Sequence, residues 1–123
     1  MNGWILHKKE LGEVYETDTL VEEFEKQGIK VRVVNPQDVD IFVDRDDRQS
    51  ILVSGKPRKL PDFVLSRTGS GTTYFIKAII RHLERLGVIP INGSEAIDAV
   101  KDKLYSQQIL GQSNLPVPKT MLV

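Results

Sequence analysis

Apolar residues fall along this chain in two rhythms, and the alternation between them sets the expected fold. Short apolar and β-branched runs at 3–7, 29–34, 62–66 and 88–91 have the length of strands buried on both faces. Between them lies helical spacing. Leu20, Val21 and Phe24 form one stripe against Glu22, Glu23 and Glu25, and Phe75, Ile76, Ile79, Ile80, Leu83 and Leu86 form another against Lys77, Arg81, Glu84 and Arg85. Thr17 or Asp18 is the expected cap of the first helix and Gly28 its stop; the second starts near Thr73 and ends at Gly87.

Two further runs, 39–43 and 50–54, flank a charged turn at 44–48 and predict a hairpin at a sheet edge or a small flap, with 55–59 as its basic exit. After 88–91 the pattern changes. Gly93 turns the chain, Ser94 is the expected cap of a short helix, and Asp102 caps another with Lys103 directly inside it and a stop at Asn114. Leu115, Pro116, Val117 and Pro118 must be extended, because each proline pushes its predecessor out of the helical region.

Strands alternating with helices predict an α/β fold: an open, mostly parallel, Rossmann-like sheet with helices on both faces and the β-hairpin as an insertion. The strand–helix–strand unit at 3–34 crosses over right-handed. One domain is expected at 1–114, with 115–123 as a linker and the first strand of a further domain. Ligands of such sheets sit beyond the carboxyl ends of the strands. The positions to weigh therefore follow Leu6, Val34, Leu65 and Ile91.

Composition narrows the partners. A chain of 123 residues forms one core and not two. Seventeen Lys and Arg balance seventeen Asp and Glu, which argues against nucleic acid or an anionic membrane as partner. The absence of Cys excludes disulfides and thiol chemistry, and two histidines far apart leave zinc without its ordinary ligands. No run approaches the roughly 20 apolar residues of a membrane span, so a cytoplasmic protein is expected.

The sharpest of the strand-end turns is Ser66, Arg67, Thr68, Gly69, Ser70, Gly71. Its glycines permit positive φ and present N–H groups, the helix that follows adds its positive end, and Arg67 adds a guanidinium, so the turn suits a carboxylate or phosphate. The plainer alternative is a strand-to-helix turn with an exposed arginine. Without a terminal Gly-Lys-Ser/Thr it is not a P-loop. Lys103 is a second candidate, against the alternative of a solvated helix lysine. The mixed-charge loop 8–13, His7 and His82 receive no role: His7 reads as packed or half-exposed and His82 as surface. The basic run 56–59 reads as solvated. Trp4, Phe24, Phe42, Phe63 and Phe75 are expected in the core.

The order Asn92, Ser94, Ala96, Ile97, Asp102, Lys103, Ser106, Leu110 and then Leu115, Pro116, Val117, Pro118, Lys119, Thr120 resembles the junction between the pre-ATP-grasp and ATP-grasp domains of RimK-type α-L-glutamate ligases. These are ATP-dependent carboxylate–amine ligases, and the similarity runs through most of the chain. The resemblance implies a pre-ATP-grasp domain that supplies one wall of the active-site cleft. The catalytic ATP-grasp domain, expected after Val123, would bind most of the ATP and Mg²⁺ (or Mn²⁺), and the isolated chain is expected to be inactive. The whole enzyme would activate a carboxylate as an acyl phosphate and join glutamate to a protein C-terminus or a small acceptor. Arg67 and Gly69 match the arginine and glycine that the family carries after this strand, and Lys103 matches a lysine that reaches the nucleotide phosphates. Ser66 departs from the proline of many relatives, and Thr68 from a more usual aliphatic residue. Two other readings stand beside this one: a stand-alone flavodoxin-like binding module, and a structural domain that forms a homo-oligomer through the hairpin edge.

Overall fold

The central strand is the one whose residues are apolar on both sides. The computed structural model describes residues 1–8, 15–43, 45, 50–69, 73–121 and 123. In order they form β1 (Asn2–Leu6), α1 (Tyr15–Lys26), β2 (Lys30–Val34), a 3-10 turn (Pro36–Asp38), β3 (Val39–Ile41), β4 (Ile51–Val53), β5 (Lys56–Pro57), β6 (Phe63–Ser66), α2 (Tyr74–Arg85), β7 (Ile89–Ile91), α3 (Ser94–Lys101) and α4 (Lys103–Gln112). Residues 9–13 of the loop expected at 8–13, most of the charged turn (44 and 46–48) and residues 70–72 of the glycine turn lie outside the described residues.

β1 and β6 occupy the middle of a parallel sheet of order β2-β1-β6-β7. The register sorts side chains by face. Gly3 pairs with Phe63 and Ile5 with Leu65, and on this side Phe24 of α1 meets the Phe63 ring at 5.4 Å between centroids. Trp4 pairs with Val64, and on the other side Trp4, Leu6 and Val64 join Ile76, Ile79, Ile80 and Leu83 of α2 in one apolar cluster. Helices therefore cover both faces, as expected.

The hairpin is present, but as two of three strands in a separate antiparallel sheet of order β3-β4-β5. Val39, Ile51 and Val53 belong to the same cluster as Trp4 and α2, so this small sheet lies over a face of the parallel sheet and does not extend its edge. The stretch 56–57, expected as a basic exit, is its third strand. Ser54 and Gly55 both adopt positive φ (52° and 69°), the backbone of a tight two-residue turn that returns the chain along β4.

Other expectations are corrected by position. α1 begins at Tyr15, and Thr17 is buried inside its first turn instead of capping it. Phe75 is 41% exposed, one step outside the buried stripe of Ile76, Ile79, Ile80 and Leu83, and Phe42 is 48% exposed beyond the end of β3. Trp4 and Phe63 are buried as expected. His82 is buried rather than at the surface, its Nε2 2.8 Å from the Oγ of buried Ser50.

Candidate functional site

The carboxyl ends of β1, β2 and β6 are tied together through His7 and Arg67. His7 N–H donates to Val34 O (3.1 Å) and Arg67 N–H to Leu6 O (2.9 Å), each continuing a strand ladder by one residue. The His7 ring lies with Nδ1 3.3 Å from Arg67 O. A carbonyl oxygen only accepts, so in this contact Nδ1 carries the proton and donates. His7 is buried, as a packed residue would be, and acts here as a brace for the backbone of Arg67.

That bracing leaves the Arg67 side chain to project from the strand ends. Its guanidinium pairs with the Glu16 carboxylate in the first turn of α1, the two side chains being 42% and 74% exposed. Glu16 also sits where a helix N-terminus favours negative charge. Ser66 Oγ and Thr68 Oγ1 lie 3.1 Å apart, and Gly69 has φ 50°, the backbone region that favours glycine. The arrangement presents one planar, permanently charged fork at the ligand-binding end of the sheet, with a carboxylate already on it. Chemically, such a fork can hold a carboxylate or a phosphate.

Lys103 belongs to a different part of the molecule. It is exposed at the first position of α4, whose N-terminus is capped by Asp102 Oδ1 accepting from Tyr105 N–H at 2.9 Å. Ser106 Oγ donates to Ala99 O (2.7 Å), fastening α4 to α3. α3 is in turn held to α2 by the Lys77–Asp98 pair and by Glu84, whose carboxylate accepts from Ser94 N–H (2.9 Å) and Ser94 Oγ (2.7 Å). Ser94 is therefore the first residue of α3 and Gly93 its cap, and the charge at the helix start comes from α2. The structure brings Arg67 and Gly69 together on one loop. Among the described residues no hydrogen bond or ion pair joins that loop to Lys103.

Glu16 and Glu84 are the polar residues that sequence reasoning missed. Glu16 is 51 positions from Arg67, and no spacing rule connects them. Among the described residues, no three His, Asp or Glu side chains gather where a metal ion could bind, and no helix is long and apolar enough to cross a membrane.

A family model described as the RimK PreATP-grasp domain matches residues 1–97. The chain belongs to that family. The matched stretch runs from β1 into α3 and holds Arg67 and Gly69, while Lys103 lies beyond it. The probable alpha-L-glutamate ligase 1 of Shewanella amazonensis is 34% identical over 109 residues, which cover 88% of this chain and 36% of that protein. The probable alpha-L-glutamate ligase of Maridesulfovibrio salexigens is 34% identical over 118 residues, 96% of this chain and 38% of its own. This RimK pre-ATP-grasp domain thus spans a little over a third of the length of these curated relatives. Among solved structures, the ATP-grasp ligase PsnB complexed with minimal precursor superposes with a TM-score of 0.70 over 96% of this chain and 44% of its own, at 16% identity. PsnB with minimal precursor, Mg and ADP gives 0.68 over 96% and 45%. At such identity the likeness shows the fold alone.

Proposed function

We propose that this pre-ATP-grasp domain forms the N-terminal wall of the reaction cleft in an ATP-dependent ligase that joins glutamate, or a similar amino acid, to a protein C-terminus or a small acceptor. The observation that carries the reading is 34% identity, across nearly the whole chain, to proteins named as probable alpha-L-glutamate ligases. The Arg67 fork at the carboxyl ends of β1 and β6 supports it, because every reactant in such a ligation carries carboxylates or phosphates.

In the proposed reaction the acceptor carboxylate attacks the terminal phosphorus of ATP, and the bond to the leaving ADP breaks. The amine of the added amino acid then attacks the resulting acyl phosphate, phosphate departs, and the nitrogen loses a proton to leave an amide. Mg²⁺ would neutralise the phosphate charge as that transfer proceeds. The described residues offer it no ligand cluster, so metal and most of the nucleotide are assigned to an ATP-grasp domain working with residues 1–114 through the linker 115–123.

This chain's own residues bind and orient. Arg67, held by His7 and the strand ends, exchanges Glu16 for a substrate carboxylate, and Gly69 lets the backbone follow it closely. Lys103, a mobile point charge beside the α3–α4 bend, reaches the nucleotide phosphates. In the enzyme carrying this domain, Arg67→Ala should raise the KM for the carboxylate substrate about ten- to a hundredfold with the fold intact, the loss expected for a charge-assisted hydrogen bond. Lys103→Ala should weaken ATP. Unchanged kinetics in either variant removes that residue from the site. ADP release dependent on glutamate from the isolated 123-residue chain would overturn the assignment of catalysis to the ATP-grasp domain.

A further inference from the structure

The amino ends of the parallel strands carry a groove of about 340 Å³ far from the turn that holds Arg67. Lys30 and Arg32 reach it from β2, Arg58 and Lys59 from the segment between β5 and β6, and Trp4 and Leu60 supply apolar lining. Register explains the convergence. Lys30 lies beside Asn2 and Arg32 beside Trp4, so the two cations stand two residues apart on the Trp4 face of β2. The β3-β4-β5 sheet covers that same face, and its exit leads Arg58 and Lys59 past them.

Read alone, the run 56–59 is a solvated turn; folding sets a second basic pair against it. Four like charges on one groove repel each other, and the chain as a whole is neutral, so the accumulation is local. None of the four side chains makes an ion pair or hydrogen bond with another described residue. The neighbouring Asp62 carboxylate is engaged by Asn2 N–H at 2.6 Å.

We infer that this groove binds an acidic peptide segment, the glutamate-bearing end of the acceptor or of the product. The choice of occupant rests on the ligase reading above. Each glutamate added consumes one carboxylate and brings two, so the product becomes a stronger ligand for a cationic groove outside the cleft. Arg32 and Arg58 offer bidentate forks to carboxylates, and Lys30 and Lys59 add compact charge. Nucleic acid fits less well, because Trp4 is 5% exposed and presents no open ring for a base to stack on.

The test is fluorescence anisotropy of a labelled oligo-glutamate peptide titrated with the 123-residue chain, without ATP. Oligo-glutamate should bind, more weakly as salt rises, and oligo-glutamine of equal length should not. Arg32→Ala with Arg58→Ala should weaken binding about tenfold or more, as should Lys30→Ala with Lys59→Ala, while Lys119→Ala leaves it unchanged. All four side chains are exposed, so thermal unfolding should match the parent in both double variants. Equal affinity for oligo-glutamine, indifference to both double variants, or tighter binding of a single-stranded oligonucleotide overturns the proposal. Because ATP is absent, the outcome is separable from the ligase reading. An enzyme carrying this domain together with its ATP-grasp domain that binds oligo-glutamate here yet forms no amide with ATP refutes that reading and leaves the groove standing.

Discussion

A methyl group at position 3 has nowhere to go. The Cβ of an alanine there would lie 2.1 Å from Phe63 Cζ, and the Phe63 ring, itself buried, already packs on Phe24 of α1. Gly3→Ala should therefore destabilise the fold by about 1–3 kcal/mol, the usual cost of overpacking a core, read as a lower urea midpoint with an unchanged slope. An unshifted midpoint would mean that the ring has another place to lie. Ser50 and His82 make the second residue-scale prediction. Their buried hydrogen bond joins the residue before β4 to α2, and Ser50→Ala, which takes away the partner of a buried ring nitrogen, should cost about 1–3 kcal/mol; wild-type stability would show that the contact contributes nothing net. His82 was legible in hindsight, since it follows Ile79 by three residues and so shares the buried stripe of α2. Its polar neighbours Arg81 and Glu84 pointed the other way. Nothing in the order of residues indicates that Glu16 meets Arg67, because that contact exists only once α1 has packed beside the strand ends.

Local rules located the helix stops and the start of α4, and missed the starts of α1 and α3, the latter because its cap is tertiary. Gly28, Gly87 and Asn114 each terminate a helix with positive φ. In each case the residue after the stop donates back five positions: Ile29 to Phe24 O, Val88 to Leu83 O and Leu115 to Leu110 O. Asp102 caps α4 with its own side chain, as its position in the sequence predicts, and Thr73, near which the second helix is expected to start, caps α2 in the same way. Ser94 looked equally suitable, yet both its N–H and its hydroxyl are held by Glu84, ten residues earlier on another helix. Two substitutions separate the cases. Glu84→Ala should uncap α3 and loosen the α2–α3 joint, and Asp102→Ala should uncap α4 alone, each at about 1–2 kcal/mol. Hydrogen exchange should show the first loss of protection in α3 and the second in α4. Protection lost equally along both helices in either variant would mean that α3 and α4 open as one unit.

At the scale of the molecule, the alternation of short apolar runs with amphipathic stretches was enough to predict the parallel sheet, its helical layers and the end at which Arg67 stands. It was not enough to place the β3-β4-β5 sheet. Strands of two and three residues carry too little alternation to say which face they bury, and Pro57 in β5 argues against a strand by composition. The domain limit is the remaining large-scale expectation, and the surface of α4 makes it testable. No residue of α4 is buried, residues 115–121 are exposed and join no strand ladder, and Val117 lies over Gly111, 3.8 Å from where a Cβ would be. So little apolar area is withdrawn from water there that deleting everything after Asn114 should cost less than about 1 kcal/mol, well below the effect of Gly3→Ala under the same denaturant. A protease added to the longer chain should likewise cut first between Leu115 and Thr120. A loss of stability on truncation as large as that of Gly3→Ala would show that the proline-bounded segment is part of the domain's own core, and the limit at 114 would have to move.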